Sequence, residues 1–467
     1  MGAMPPRISH CDISPYIVTE ATVNVLHHRH SSAFGFERRI HAREALSVAL
    51  FGACCAGLGA TSAVAATSDA VVLHWNEIAV EAVGDIPPFP ATRAMAAVQV
   101  AVFEAVDAIT RRYQPYFGTI AGPADASEEA AAIVAAHDAL AWLFPAQQGF
   151  LDDKQAESLA AIADGPAKTD GIEVGRAAAA AIAADRANDG AQVPMFYVPV
   201  SAAPYEWQPT PSCANPPASG RGTFVHWQFV KPFGVETSSQ FRAEPPPALM
   251  TGRYAKNVNE VQAIGDQSSL LRPPDRADVA NFYAAQPPHR GWNLVARQLA
   301  VEDGADDISR TARTFAILNM SLSDAHITVF ESKYHYTTWR PETASARADE
   351  DGNARTTPKA SFRPFVTTPC FPSYPSAHGA GGGAARAVLE HAYGRKHHGI
   401  TLTEQKAPGI VLSYSDLRTI IDDVSDARVY GGIHFRYDQD AGERMGTEIG
   451  WFNDRHRLVP LDVRADY

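Results

Sequence analysis

Helical periodicity is the feature of this sequence that most restricts its fold. Apolar residues, many of them alanine, recur at three- and four-residue spacing in residues 71–115, 127–164, 171–189, 274–350, 378–394, 403–428 and 434–452. Strand-like alternation is scarce. We therefore predict an all-α protein built from two helical-bundle lobes.

A change in composition marks the boundary between these lobes. Residues 193–250 are rich in Pro, Gly and Ser, which indicates a long irregular connection. We predict an N-terminal helical lobe in residues 69–192 and a C-terminal helical bundle in residues 251–467. Residues 1–66 differ from both and are predicted to be a leader with an export signal.

The leader carries the pattern of an exported protein. Arg38–Arg39 precede an apolar run of small residues, and Ala63–Val64–Ala65 fits a cleavage site. The paired arginines are compatible with the Tat route. We expect a periplasmic or secreted protein, although an N-terminal membrane anchor remains the alternative. No later segment has 18 uninterrupted apolar residues, so no stable membrane association is expected after signal removal.

Charge and cysteine content exclude some partners. The formal net charge of -12 argues against nucleic acid. Of the five cysteines, Cys213 and Cys370 lie beyond the leader, where an oxidising compartment permits one disulfide between them. A metal site from these two is disfavoured because no ligand spacing supports it.

Two groups of polar residues precede helices or lie on them. Lys333 and Arg340 are seven residues apart, which predicts that they share one face of a helix ended by Pro341. Further on, Ser376 is a good N-cap for a helix beginning near Ala377–His378. Its free backbone N–H groups and dipole make an anion site, and the glycines after His378 would let another helix come close.

A third group lies near the end of the chain. Arg428 is predicted near the end of one helix, and Gly431–Gly432 breaks the chain after it. His434 and Asp438 follow, four residues apart near the start of the next helix. Asp438 could therefore accept the second ring N–H of His434 and fix its tautomer. A surface His–Asp pair is the simpler alternative.

Taken in order, these motifs resemble those of one superfamily. Lys-x6-Arg-Pro, Pro-Ser-x-His and Arg-x5-His-x3-Asp are similar to the signature of vanadium haloperoxidases and type 2 phosphatidic acid phosphatases. The stretches "VLHWNEIAVEA" and "SSQFRAEPPPAL" resemble the bacterial haloperoxidase branch, and the resemblance covers roughly residues 70–455. Two departures are Ala377, where Gly is commonest, and Ala427, where Ser often precedes the arginine.

The resemblance implies an active site in the C-terminal bundle, with vanadate as cofactor. It implies that the oxyanion is held by Lys333, Arg340, Ser376, the Ala377 N–H and Arg428. His434 would be the vanadium ligand, oriented by Asp438, and His378 the acid–base group.

The implied reaction is oxidation of a halide by hydrogen peroxide to a hypohalous species, which halogenates an organic acceptor. An acid phosphatase inhibited by vanadate is the alternative, with His434 as nucleophile and His378 as proton donor. An exported oxyanion-binding protein without turnover is a third. In the resembling family, chloroperoxidases carry Phe at the position of Phe371 and bromoperoxidases carry His. The halide, the organic substrate and the oligomeric state stay open, although an oligomer is compatible with the sequence.

Overall fold

α-Helices dominate the computed structural model, which describes residues 69–304 and 306–461, so the predicted all-α fold is confirmed. The helices are α1 (Ala70–Val83), α2 (Pro88–Thr110), α3 (Glu128–Leu143), α4 (Gln148–Ala160), α5 (Pro166–Arg186), α6 (Gly252–Ile264), α7 (Pro274–Ala285), α8 (Pro288–Asp303), α9 (Ile308–Tyr336), α10 (Pro341–Ala346), α11 (Ala377–Tyr393), α12 (Leu417–Tyr430) and α13 (Arg436–His456). Short 3₁₀ turns lie at Pro145–Gln147, Pro211–Cys213 and Val225–Phe229. No helix in the described ranges is both long and apolar enough to cross a bilayer. The predicted leader and export signal lie outside these ranges.

The helix predicted over residues 403–428 is wrong in its first half. Strands β1 (Lys396–Thr403) and β2 (Val411–Asp416) pair there as an antiparallel hairpin, and α12 begins only at Leu417. Ile400 and Leu402 are buried between exposed neighbours, which is the two-residue alternation of a half-buried strand. The segment is short enough that the same apolar residues also fit a helical spacing.

Close backbone contacts hold the N-terminal helices together. α2 is buried along almost its whole length and packs against α3, α5 and α9. A Cβ added at Gly171 of α5 would lie 2.3 Å from the Ser127 carbonyl oxygen at the start of α3. Glycine at this position therefore lets the two helices approach more closely than any side chain would allow.

The glycines at the start of α11 have a similar purpose. A Cβ at Gly383 would lie 2.3 Å from the Glu443 carbonyl oxygen of α13, and one at Gly446 of α13 would lie 1.8 Å from the Ala380 carbonyl oxygen. The two helices therefore touch backbone to backbone, as the sequence predicted. This contact places the N-terminus of α11 beside the loop that precedes α13.

The segment between α5 and α6 is mostly irregular, as predicted for residues 193–250, and is attached to the C-terminal helices. Trp207 N donates a hydrogen bond to the Thr337 carbonyl oxygen, and a disulfide joins Cys213 to Cys370. One core cluster contains residues of α1, α2 and α3 together with residues of α9, α11 and α12. The lobe boundaries drawn at residues 192 and 251 stay a prediction.

Candidate active site

Lys333 and Arg340 lie close together, but they do not share a helix face as predicted. α9 ends at Tyr336, because Thr337 adopts the left-handed conformation with φ of 47° and caps the helix. The chain turns back, and Arg340 becomes the residue before α10, where Pro341 starts a helix rather than ending one. A threonine in this conformation has no clear local signal, so spacing alone gave the wrong geometry.

Backbone carbonyl groups fix both cations. Lys333 Nζ donates to the carbonyl oxygens of Pro372 and Ser373 at 2.8 and 2.7 Å. Arg340 Nε donates to the Phe371 carbonyl oxygen at 2.8 Å, and Nη1 to that of Ile433 at 3.0 Å. Carbonyl oxygens orient these groups without cancelling their charge.

Ser376 begins α11 as predicted. Its Oγ accepts a hydrogen bond from Gly379 N at 3.2 Å, and its own N–H donates to the Asp438 carbonyl oxygen at 2.9 Å. Because Oγ acts as acceptor in the cap, its hydroxyl hydrogen is left to donate elsewhere. Ala377 is the first residue of α11, so its alanine side chain is compatible with the helix start.

His434 and Asp438 form the predicted pair at the junction before α13. His434 Nδ1 lies 2.8 Å from Asp438 Oδ2, and Arg340 Nη1 lies 3.1 Å from His434 Nε2. A carboxylate accepts and a guanidinium donates, so Nδ1 carries the hydrogen and Nε2 the lone pair. His434 precedes the helix by two residues, and Asp438 is its third residue.

Ser373 is a site residue that no sequence motif indicates. Its Oγ donates to Asp438 Oδ2 at 2.6 Å, and it lies fully buried. Asp438 therefore holds both the imidazole and the loop whose carbonyl oxygens bind Lys333. "FPSYPSAH" contains both serines, but only Ser376 has an N-cap pattern, and the contact to Asp438 spans 65 residues.

His378 is half-buried in the first turn of α11 and makes no hydrogen bond to another described residue. It lines an apolar cavity together with residues such as Trp292 and Val424. The cavity volume is about 20 Å³, close to that of one water-sized sphere. Burial, followed by the charge of Arg428, holds the pKa of His378 well below its usual range. The imidazole is therefore neutral at neutral pH and can accept a proton.

Arg428 lies in the last turn of α12, as predicted, and its Nη1 donates to the Tyr283 carbonyl oxygen at 3.2 Å. Its Nε and the Nη2 of Arg340 are buried with no hydrogen-bond partner. Burial lowers the pKa of Arg428 to about 10 and that of Arg340 to about 9. Burial and the neighbouring Arg340 also lower the pKa of Lys333.

Electrostatic interactions indicate that five side chains lie in one site. They are those of Lys333, Arg340, His378, Arg428 and His434. After burial, the pKa of His434 is lowered by the charges of Arg340, Lys333, Arg428 and His378. The three buried cations of the site are accompanied by one carboxylate, that of Asp438. Burial raises the pKa of this carboxyl group to about 6.

The residues present fit an oxyanion. Buried cations and unpartnered N–H donors are costly unless a ligand pairs with them. A tetrahedral anion supplies oxygen acceptors for several donors at once, and Arg suits such groups through its planar fork. Within the described ranges, no group of three or more His, Cys, Asp or Glu residues could hold a metal cation. The donor set is that of an oxyanion site with one imidazole nitrogen that carries a lone pair, His434 Nε2, beside Arg340 Nη1.

The fold and the site define a class of protein, a helical bundle with a buried oxyanion site. Comparisons with known proteins agree with this class. Residues 313–457 match the family described as the VCPO second helical-bundle domain. Vanadium chloroperoxidase of Curvularia inaequalis is 26% identical over 200 residues, which are 36% of this chain and 33% of that protein. This chain thus covers about a third of the length of that curated relative.

Solved structures resemble the chain over most of its length. A bacterial vanadium-dependent iodoperoxidase superposes with a TM-score of 0.69 at 24% identity, covering 83% of this chain and 97% of that one. A bacterial vanadium-dependent chloroperoxidase gives 0.63 at 18% identity, covering 80% and 94%. The predicted resemblance is confirmed: the chain has the fold of the bacterial vanadium haloperoxidases, and residues 313–457 match the VCPO second helical-bundle domain.

Proposed function

We propose that this chain is a vanadate-dependent haloperoxidase, which uses hydrogen peroxide to oxidise a halide to a hypohalous species that halogenates an organic acceptor. The observation that carries the proposal is the buried surplus of positive charge around His434 Nε2, with unpartnered donors on Arg340 and Arg428. Such a surplus is the complement of an oxyanion.

Each residue of the site has a proposed role. His434 Nε2 would be the ligand, and Lys333, Arg340, Ser376, the Ala377 N–H and Arg428 would donate hydrogen bonds to the oxyanion. When bound, vanadate supplies Lewis-acid activation of peroxide toward a halide. The neutral ring nitrogen of His378 takes a proton from the entering hydrogen peroxide and later returns it to the departing product. Asp438 keeps the proton on His434 Nδ1.

The alternative is an acid phosphatase that uses the same residues. There His434 Nε2 would attack the phosphoryl group, and His378 would protonate the leaving alcohol. An ester would need room for its organic part beside His378. The cavity that His378 lines has a volume of about 20 Å³, which is too small for such a part. A protein that binds oxyanions without turnover is the third candidate.

One experiment separates these candidates. The purified full chain is loaded with orthovanadate, and halogenation of a phenol reporter is followed with hydrogen peroxide and bromide. In parallel, the vanadate-free chain is given a chromogenic phosphate ester. Peroxide-dependent halogenation that phosphate inhibits supports the proposal. Ester hydrolysis inhibited by vanadate, without halogenation, contradicts it in favour of the phosphatase. Tight vanadate binding with neither activity leaves a binding protein.

We also propose that the protein is exported. Support comes from the Arg38–Arg39 and Ala63–Val64–Ala65 pattern, and from the disulfide between Cys213 and Cys370, a bond typical of oxidising compartments. Fractionation of expressing cells tests this proposal, since a full-length chain found only in the reducing cytoplasm would contradict it.

A further inference from the structure

Residues 368–373, here called the carbonyl loop, carry the backbone groups that fix two cations of the site. Phe371 supplies the carbonyl oxygen that binds Arg340, and the next two residues supply those that bind Lys333. The ring centroid of Phe371 also lies 5.2 Å from Lys333 Nζ and 5.0 Å from Arg340 Cζ. The carbonyl loop forms neither helix nor strand, so other parts of the chain must hold it in place.

The C-terminal end of the carbonyl loop is held by groups within the site. Ser373 N donates a hydrogen bond to the Thr338 carbonyl oxygen at 3.0 Å, and Ser373 Oγ donates to Asp438 Oδ2. The turn after α9 and the first turn of α13 therefore fix this end.

The N-terminal end of the carbonyl loop is held by the disulfide. Cys370, the residue before Phe371, is bonded to Cys213 in a segment of residues 205–223, here called the strap. Thr223 N and Oγ1, at the end of the strap, donate to the Cys370 carbonyl oxygen at 2.8 and 3.1 Å. The covalent bond is the strongest of these links.

The strap is also paired with the turn that leads to Arg340. Trp339 N donates to the Tyr205 carbonyl oxygen at 2.7 Å, and Thr337 Oγ1 donates to Glu206 Oε2 at 2.9 Å. The strap therefore joins the turn that carries one cation to the loop that orients both.

The strap packs in a small core of its own. Trp207, Cys213 and Ala218 form a buried cluster separate from the two larger clusters, and Tyr197 and Cys370 pack against it. Loss of the disulfide should therefore loosen the carbonyl loop before it disturbs the packing of the helices.

We propose that the disulfide between Cys213 and Cys370 is a positioning element of the oxyanion site, which acts on Lys333 and Arg340 through the carbonyl loop. The inference rests on the proposed function and adds to it what holds the cations ready for the anion. Groups that are already fixed before binding lose less freedom when the anion arrives, so their affinity for it is higher.

Calorimetric titration of the vanadate-free full chain with inorganic phosphate tests this role. In Cys213→Ser/Cys370→Ser we expect the Kd for phosphate to rise about tenfold, because both cations lose part of their fixed geometry. Circular dichroism checks that the variant is folded. A disulfide that only stabilises the fold would leave the affinity of the folded chain unchanged. Equal phosphate affinities in the double variant and the wild type would therefore overturn the inference.

The control for this titration is a variant that weakens the fold elsewhere. Leu151 of α4 is fully buried in a different core cluster, so Leu151→Ala destabilises the chain without touching the strap. We expect it to bind phosphate as tightly as the wild type. An equal loss of affinity in Leu151→Ala and the double variant would contradict a specific role of the disulfide.

A second variant decides the question if the double variant does not fold. Ser212 Oγ of the strap donates to the Thr368 carbonyl oxygen at 2.7 Å, at the same end of the carbonyl loop. Ser212→Ala removes this bond and keeps the disulfide, so we expect a smaller rise of the phosphate Kd, about threefold. Ser158→Ala is the control, since Ser158 Oγ donates to the Lys154 carbonyl oxygen in α4. An unchanged Kd in Ser212→Ala would then overturn the inference.

A double-mutant cycle tests whether the disulfide acts through the carbonyl loop. In Arg340→Lys the side chain loses the guanidinium Nε that binds the Phe371 carbonyl oxygen, so the position of the loop matters less. We expect removal of the disulfide to raise the phosphate Kd by a smaller factor in this variant than in the wild type. The same factor in both would contradict the proposed route.

The inference and the proposed function can fail separately. If the wild type binds phosphate more tightly than the double variant but never halogenates, the haloperoxidase function fails and the role of the disulfide stands. If the wild type halogenates and the folded double variant binds phosphate equally well, the role of the disulfide fails and the function stands.

Discussion

Asp438 Oδ2 lies 2.8 Å from His434 Nδ1, and the same oxygen accepts hydrogen bonds from Ser373 Oγ and Phe435 N. One carboxylate oxygen thus connects the imidazole, the loop before α11 and the start of α13. The contact fixes the proton on Nδ1 and leaves the lone pair of Nε2 directed toward Arg340. The ligand role proposed for His434 depends on this relationship.

Replacing the carboxylate should weaken the ligand without removing it. In Asp438→Asn we expect vanadate affinity to fall about 10- to 100-fold, because the imidazole loses its orientation and basicity. Equilibrium dialysis measures the affinity. Asp440→Asn on the same helix is the control, since Asp440 is exposed and pairs with Arg253 at 3.2 Å. An unchanged affinity in Asp438→Asn would remove the orienting role.

The guanidinium of Arg340 should not be replaceable by an ammonium group. Arg340 uses Nε and Nη1 on carbonyl oxygens and keeps Nη2 unpartnered, an arrangement that lysine cannot reproduce. We expect Arg340→Lys to bind phosphate at least about tenfold more weakly in calorimetric titrations. Arg436→Lys is the control, because Arg436 is paired with Glu260 and Asp426. Equal phosphate affinities for Arg340→Lys and the wild type would show that the fork is not needed.

The disulfide should stabilise the fold. It joins residues 157 positions apart, so its removal releases a long loop in the unfolded chain. We expect the Cys213→Ser/Cys370→Ser variant to lose about 2–5 kcal/mol of unfolding free energy in urea. A reducing agent should destabilise the wild type by a similar amount and leave the double variant unaffected. Identical unfolding midpoints in all four samples would contradict this prediction.

Two buried histidines should make stability fall in mild acid. Burial lowers the pKa of His289 to about 4 and that of His326 to about 3. The pKa of a histidine in the unfolded chain is about 6.5. Below this pH the unfolded chain binds protons that the folded chain does not bind, so the free energy of unfolding decreases as the pH falls toward the pKa values of the folded state.

We expect each of these histidines to account for about 2–3 kcal/mol of lost stability between about pH 6.5 and about pH 4.5. Urea unfolding at the two pH values measures the difference. His326→Gln should show a smaller loss than the wild type, whereas His456→Gln, at an exposed position, should not. The same pH dependence in His326→Gln and the wild type would show that His326 is not buried in its neutral form.

Local signals made parts of this fold predictable. Pro375 and Ser376 mark the start of α11 within the sequence itself, and the glycines that follow require a close neighbour. Gly431–Gly432 likewise separates α12 from α13, and Gly432 adopts a positive φ of 77°. These features depend on residues a few positions apart, so one sequence is enough to find them.

The rest depends on contacts between distant parts of the chain. No residue near Thr337 indicates a left-handed conformation at this position. The sequence therefore does not predict the turn that brings Arg340 beside Lys333. Ser373 has no motif of its own, and its role becomes evident only once α13 is in place. The three charged motifs predicted the composition of the site and the His434–Asp438 pair, but the spacing of Lys333 and Arg340 did not predict their geometry.

Retention of vanadate tests the central claim most directly. The full chain and its His434→Ala variant are dialysed against orthovanadate, and the vanadium that each retains is measured. Circular dichroism checks that both proteins are folded. We predict one vanadium per wild-type chain, displaced by phosphate, and none in a folded His434→Ala variant. A wild-type chain that retains no vanadium, or a variant that retains as much as the wild type, would contradict the account.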